Sequence, residues 1–511
     1  MDSLFDDVQA ARAASLSFQE GDGRAGRKDE CVEQLVCGID VGTSAVRALV
    51  CTLAGEVRAS GTCALAPVRV DGLRREQDAE DWWRAVRVAL NQAVADIPAA
   101  ALSAVCVDAT SGTFVPVDRS LRPLGPGLMY NDGRAAGYAE RIDAVAGAFC
   151  ERHGYRFKDD FSLAKLLWLQ ERDRAFPQVH CALHQSDFVV ARLAGEILAT
   201  DWSNALKSGA DLYEARWADF IARDLGFEVS KLPPRIVAPG TVIGAVCGRA
   251  AAETGLAPGT AIVAGVSDGT ASLFASGAAE AGDFNTALGS TVSIRGIAPQ
   301  RIRDPKGVLY AHRHPDGHWL PGAASNAGCA GLNREFAPDA AHRASVLAEL
   351  DRAAARFLPT NVLAYPLGDA TAERFPFKKS GIAAFVAGRP RERGERFAAF
   401  LQGIAFVERW CYDEIAALGA PVRRVFSTGG GSRSALWCRV RADVLRRPLC
   451  LPLQAETAFG AAILAAAPQV GGLAAASRAM ARQREAIEPG AAAYEETYRR
   501  FREECAGRWG V

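Results

Sequence analysis

The chain writes one piece of structural grammar twice. Near its start, LVCGID (35–40) and AVRALVCTL (45–53) are short β-rich runs joined by Gly42, Thr43 and Ser44. Far downstream, FNTALGSTVSIRGI (284–297) again reads strand, turn, strand, and its turn is Gly289, Ser290 and Thr291. Each half later supplies a strand that runs into a polar corner. The first is AIVAGV ending at Ser267-Asp268-Gly269, and the second is RRVFSTGGG ending in Gly429, Gly430 and Gly431, with Ser432 next. A supersecondary unit repeated at this distance constrains the chain to two halves of similar construction.

The segments between these turns set the fold class. EVRASGTCAL (56–65) is a third strand, and EDWWRAVRVALNQAVADI (80–97) carries Trp82, Val86, Ala89, Leu90 and Val94 at helical period. AVCVDAT (104–110) is again a buried strand, so the order is β, β, β, α, β, an α/β layer fold. SLAKLLWLQERD (162–173) reads as a helix with Ser162 as its N-cap. In the second half, VLYAHRHPDGHWLPGAA (308–324) is a hairpin turning at Pro315-Asp316-Gly317. A long helix spans about 394–417, and ETAFGAAILAAA (456–467) is a small-residue helix built for close packing. With 511 residues the chain exceeds one hydrophobic core. The expected division is a flexible extension over 1–35 with a short helix at 6–18, a first domain over 36–282 and a second over 283–511.

Composition removes several classes of function. Lys+Arg and Asp+Glu number 59 each, so a general nucleic-acid or acidic-membrane partner is not expected. The 13 cysteines form no C-x-x-C pair and read as small buried hydrophobes in a reducing compartment. No apolar run is long enough to span a bilayer and the first residues lack a secretory core, so a cytoplasmic protein without membrane association is expected. His312, His314 and His318 flank the hairpin turn without an acidic or cysteine partner at ligand spacing and read as solvated.

The corners carry the chemistry. Asp40 at a strand end, followed by Gly42, Thr43 and Ser44, offers a carboxylate beside a turn whose backbone can approach phosphate oxygens. That carboxylate suits a phosphate only through an intervening Mg²⁺ ion. Gly289, Ser290 and Thr291 offer the matching donors from the second half. Asp268 closes a strand and opens a helix, where it serves either as a proton acceptor or as a plain helix cap. The triplet Gly429, Gly430 and Gly431 permits backbone to lie against a planar base or a phosphate.

From about Val36 to about Cys505 the motifs, in order, resemble those of the FGGY carbohydrate kinases, within the actin-like, ribonuclease-H-like ATPases. They are GIDVGTSAVRALV, QDAEDWWRAVRVAL, SLAKLLWL, TDWSNALKSGADLY, GVSDGTASLFASGAAEAGDFNTALGST, FSTGGGSRSALWCRVRADVLRRPL and ETAFGAAILAA. The resemblance implies two actin-like domains flanking a deep cleft, with ATP and Mg²⁺ as cofactors and a small sugar as partner. It makes Asp268 the general base on the sugar hydroxyl. It places Asp40 on Mg²⁺ and at the substrate, with Asp268 beside the same metal. Thr43 and Ser290 face the nucleotide phosphates within the two loops, and Gly429, Gly430, Gly431 and Ser432 flank the nucleotide. A monomer or homodimer is expected.

Within that resemblance, Asp108-Ala109-Thr110-Ser111-Gly112-Thr113 stands where xylulokinases carry a Ser-Gly-Gln-Met-His-Gly element. Together with Met129-Tyr130-Asn131-Asp132 it looks more like the D-ribulose kinases, which puts Ser111 against the sugar and makes D-ribulose the expected acceptor. D-Xylulose or another polyol is the alternative. A non-catalytic sugar or nucleotide sensor on the same fold is disfavoured, because a sensor need not keep Asp40, Asp268 and both loops.

Overall fold

The computed structural model describes residues 33–491 and 493–511, so the expected extension and its short helix lie outside the described residues except at 33–35. Strand β1 (Leu35–Val41) is buried along its whole length. It pairs antiparallel with β2 (Ala45–Thr52), which pairs antiparallel with β3 (Val57–Ala64). Helix α1 (Ala79–Val94) crosses over, capped by the Asp78 carboxylate accepting from Glu80 N, and buries Trp82, Val86, Ala89 and Leu90 as the period predicts. Strand β4 (Leu102–Ala109) then lies parallel to β1 on its other side. β5 (Val242–Ala245) and β6 (Ala261–Val263) complete a sheet of order β5-β6-β4-β1-β2-β3. Helix α2 (Asp268–Ala275) leaves the end of β6.

The second sheet repeats this plan. β7 (Asp283–Leu288) pairs antiparallel with β8 (Val292–Gly296), and the hairpin β9 (Tyr310–Arg313) and β10 (Trp319–Ser325) adds through β10. α3 (Cys329–Phe336), α4 (Arg343–Ala354) and the long α5 (Arg393–Ala417) intervene. β11 (Arg424–Thr428) lies parallel to β7, as β4 does to β1, and α6 (Ala435–Leu445) follows it. β12 (Leu449–Pro452), α7 (Thr457–Val470) and β13 (Gln483–Ile487) complete the order β9-β10-β8-β7-β11-β12-β13. Three antiparallel strands followed by two parallel ones, edged by an antiparallel strand, are common to both sheets. The duplication suspected from the sequence is therefore real at the level of topology.

The halves share a core. Helix α7 of the second half packs on β1 and on α2 of the first, and Phe274, Cys106 and Val36 join Phe426, Ala458 and Ile463 in one apolar cluster. Small residues make this possible, since a Cβ on Gly460 would stand 2.0 Å from Ala271 O and one on Gly38 would stand 1.9 Å from Ala458 O. Interiors packed at crystal-like density have no slack for such an atom.

Two expectations are corrected. Ser162 is the first helical residue rather than the cap, the cap position being Phe161 with no side-chain bond. His312 and His314 are buried, not solvated, because the hairpin is folded against the first half, where Phe274 meets His314 edge-on. The cysteines among the described residues are free and mostly buried, and no single helix there is long and apolar enough to cross a membrane.

Candidate active site

Asp40, next to last in β1, is in register with Asp108 on β4, and an isolated parallel bridge from Ala109 to Ser267 brings the Asp268 corner alongside. Three carboxyl groups therefore collect at the carboxyl ends of parallel strands, where ligands bind in open α/β sheets. Burial pushes the Asp40 carboxyl up, a bond from Thr457 pulls it down, and the Asp268 charge pushes it up again. Arg47 approaches Asp40 at 3.5 Å. Asp108 is fully buried, and burial followed by the charges of Asp40 and Asp268 drives its pKa far above the carboxylate range. As a carboxylate it has no donor among the described residues, whereas as the neutral acid it can donate a hydrogen bond to Asp40.

Asp268 is the first helical residue of α2 rather than its cap; the cap position is Ser267, which makes no side-chain cap bond. Asp268 Oδ1 accepts from Gly269 N at 2.6 Å. Burial raises its pKa, while that N–H, Lys207 and Arg295 oppose the rise. The corner is fixed from behind. Ser267 N donates to Ser203 Oγ at 2.8 Å, and Ser203 donates to Asp201 Oδ1 at 2.5 Å, both inside the TDWSN stretch.

Ser111 lies two residues past the end of β4. Its carbonyl accepts from Lys207 Nζ at 2.9 Å, and its hydroxyl is buried without a partner among the described residues. Thr110 and Thr113 beside it bond to each other at 2.7 Å, and Thr110 donates to Gln185 Oε1 at 2.6 Å, which fixes the loop's shape.

The turn Gly42, Thr43, Ser44 lies at the same sheet end, with Gly42 N donating to Ala45 O at 3.1 Å and Thr43 O accepting from Gln77 Nε2 at 2.9 Å. In the second half, Gly289 N donates to Thr291 O at 3.1 Å, and the first amides of α3 brace this turn through Cys329 N to Gly289 O and Ala330 N to Ser290 O. The glycine triplet is adjacent. Gly429 has φ +86°, and a Cβ there would meet Leu288 O at 2.7 Å. Gly430 and Gly431 line a cavity of about 410 Å³ with Asn333, Asp351, Arg433 and Trp437. The Ser432 hydroxyl is bonded to Ser427 Oγ at 2.6 Å and to Thr428 O at 3.0 Å. It fastens the loop to β11. Behind it, Arg441 donates to Ser427 Oγ and forms a fully buried bidentate pair with Glu408 at 2.7 and 2.8 Å.

The structure thus gathers Asp40, Asp268, Ser111 and the first turn on one sheet, and the second turn with the triplet on the other. It adds Asp108, Lys207, Arg295 and Thr457, which the sequence reading did not single out. Only Asp108 had a legible signal, its place in the strand that must flank β1. Among the described residues no three His, Cys, Asp or Glu side chains surround a common metal position, so the expected Asp40–Asp268 pair is not part of a protein-only metal cage.

A duplicated α/β frame with carboxylates on one sheet and a glycine-lined cavity on the other falls in the actin-like, ribonuclease-H-like class of ATP-using phosphotransferases. Residues 35–275 match the N-terminal domain of the FGGY family of carbohydrate kinases, and residues 289–468 match its C-terminal domain. The chain belongs to that family and is an ATP-dependent sugar kinase. A xylulose kinase of Streptomyces coelicolor is 31% identical over 449 residues, covering 84% of this chain and 87% of its own. One of Bacillus subtilis is 25% identical over 451 residues, with the same coverage of 84% and 87%. The crystal structure of a xylulose kinase from Rhodospirillum rubrum superposes with a TM-score of 0.82 at 27% identity, covering 93% of this chain and 99% of that one.

Proposed function

We propose that this kinase transfers the γ-phosphoryl group of ATP to the terminal hydroxyl of a ketopentose, with D-xylulose as acceptor and Asp268 as general base. The names of the relatives favour D-xylulose over the D-ribulose expected from the 108–113 segment. The observation that carries the mechanism is the Asp268 carboxylate at the start of α2, acted on by the charges of Lys207 and Arg295. Burial raises the Asp268 pKa while the Gly269 N–H and those two cations oppose the rise. A carboxylate of raised basicity suits acceptance of the hydroxyl proton as the oxygen attacks phosphorus. Asp40 and Ser111 border the acceptor. Gly42, Thr43, Ser44, Gly289, Ser290 and Thr291 offer hydroxyls and backbone to the phosphates. Gly429, Gly430 and Gly431 flank the nucleotide, and the two domains divide near 282/283.

The carboxylate cluster fits Mg²⁺ carried in by the nucleotide. Asp108 has two buried oxygens without donors, and Asp40 lies beside it. Asp40 would hold the ion, with Asp268 alongside; bound there, the ion neutralises phosphate charge. One or two carboxylates are what Mg²⁺ takes from a protein when phosphates supply further ligands.

D-Ribulose stands as a second reading, favoured by the Thr110–Thr113–Gln185 network, which occupies the loop that carries Gln-Met-His in xylulokinases. A coupled ADP-release assay across D-xylulose, D-ribulose, L-ribulose, ribitol and glycerol decides between them. The highest kcat/KM is expected with D-xylulose, and a higher value with D-ribulose reverses the assignment. Asp40→Ala in the same assay should weaken the response to added Mg²⁺, and an unchanged titration removes Asp40 from the metal.

A further inference from the structure

Three buried polar atoms around the Asp268 corner lack hydrogen-bond partners among the described residues: Ser111 Oγ, Arg295 Nη1 and His312 Nδ1. Folded proteins pair nearly all such groups, so an orphan set in one place points to a ligand. Two cations tie the three into one region. Lys207 bonds the Ser111 carbonyl, and its charge acts on both Asp268 and His312. The Arg295 charge acts on the same two residues and on Tyr310, whose ring lies 5.9 Å from the guanidinium carbon. The Tyr310 hydroxyl takes one of the guanidinium donors, leaving Nη1 without a partner. Arg295 Nη2 comes within 3.6 Å of where a Cβ on Gly269 would stand.

Strand geometry explains how Arg295 reaches this place. Along β8, Val292, Ile294 and Gly296 are buried, while Ser293 and Arg295 lie on the alternate face. Val292 and Ile294 belong to the core of the second half, so Arg295 is sent away from that core toward the Asp268 corner. A guanidinium donates in a fixed planar fork and accepts nothing. With Tyr310 beside the guanidinium, the partner of the free Nη1 must present lone pairs, as the carbonyl and hydroxyl oxygens of a sugar do.

We propose that Arg295 is an acceptor-binding, specificity-determining residue, delivered by the second half to donate to an oxygen of the sugar whose terminal hydroxyl Asp268 deprotonates. The acceptor site is then shared between the halves, with Ser111 and Lys207 on one side and Arg295 on the other. This assignment rests on the proposed role of Asp268.

Steady-state kinetics on the full chain with Mg·ATP and D-xylulose or D-ribulose test it, alongside ADP binding by calorimetry and thermal unfolding. Arg295→Gln should raise the acceptor KM by roughly tenfold or more, as loss of a charged donor does, while the ADP Kd stays within about twofold. Arg295→Lys keeps the charge but not the fork, so it should recover only part of the loss. It also carries the test if the Gln variant does not fold. An acceptor KM within about twofold of wild type in the folded variants overturns the assignment. Asp268→Asn, run in parallel, separates the two readings because it should reduce turnover by roughly 10² or more with acceptor binding retained. If Asp268→Asn keeps turnover, the base assignment falls. If it is inactive and the acceptor KM of the Arg295 variants is unmoved, only the Arg295 assignment falls.

Discussion

Lys165 lies wholly inside the first half and donates from Nζ to Gly112 O and Met129 O, both at 2.7 Å. Burial, helped by the nearby Lys207 charge, brings its pKa down to about 7. A neutral amine still has two N–H groups for the two carbonyls, so the arrangement survives loss of the proton. Gly112 adjoins Ser111, and Lys165 therefore anchors the loop assigned to the acceptor. The sign of its effect on stability follows from the depressed value. Between pH 7 and the unfolded pKa of about 10.4, the unfolded chain binds more protons, so stability rises with pH. Below that window both states are protonated, and the folded state bears the full cost of the buried charge. Relative to Lys165→Met, the wild type should gain about 2 kcal/mol between pH 7 and pH 9. Denaturant unfolding at the two pH values measures this, and a constant difference would mean that Lys165 titrates like an exposed lysine. The variant also strands two buried carbonyls, which sets its overall cost at roughly 2–4 kcal/mol and should loosen the Ser111 loop.

Glycine means different things in two elements of the second half. A Cβ on Gly430 meets nothing within 4 Å and projects into the cavity of about 410 Å³, whereas one on Gly460 in α7 collides with Ala271 O. Gly430→Val should therefore fold normally and raise the ATP KM by roughly tenfold or more with little change in the acceptor KM. Gly460→Val should instead lower the unfolding temperature and affect both KM values through the misplaced α2. Equal effects of Gly430→Val on the two KM values would move the nucleotide site elsewhere. The contrast also marks what was legible. Period-two runs, glycine turns and the small-residue run of 456–467 were enough to read β1, β2, β7, β8, β11 and α7, because local pattern and core-facing geometry coincide there. Asp268 and the two turns could be read for the same reason, since each stands where a strand ends. Lys207 and Arg295 could not, because their place beside Asp268 depends on which distant element the tertiary fold sets opposite them. Arg441 reads as an ordinary polar residue of a helix, and its buried pair with Glu408 on α5 exists only once two helices meet. The hairpin histidines failed for a related reason, since nothing local shows that the hairpin leans on the first half.

At the scale of the whole molecule, the halves meet in two zones. One is the small-residue packing of α7 on β1 and α2. The other is the β9–β10 hairpin, where Trp202 Nε1 donates to Arg313 O at 2.9 Å and Arg313 Nη1 donates to Leu212 O at 2.6 Å. Tyr213 and Trp319 stack at a tilt across the same junction, with centroids 5.1 Å apart. Asp268 starts the helix that belongs to the first zone, and Arg295 lies one strand from the hairpin of the second. A kinase must keep water from competing with the sugar for the γ-phosphoryl group, which requires the halves to close around both substrates. The α2–α7 packing has no slack and suits a pivot, while the hairpin junction, where Ala311 and Trp319 join the apolar core of the first half, suits the part that tightens. Small-angle scattering should show a smaller radius of gyration with sugar and a non-hydrolysable nucleotide than without them. Trp202→Phe keeps the ring but removes the indole donor, which costs about 0.5–1.5 kcal/mol. If that bond favours the closed form, the ratio of ATP hydrolysed to sugar phosphorylated should rise about two- to tenfold. A ratio unchanged from wild type, with scattering that still reports compaction, would place the closing contact somewhere other than the hairpin junction.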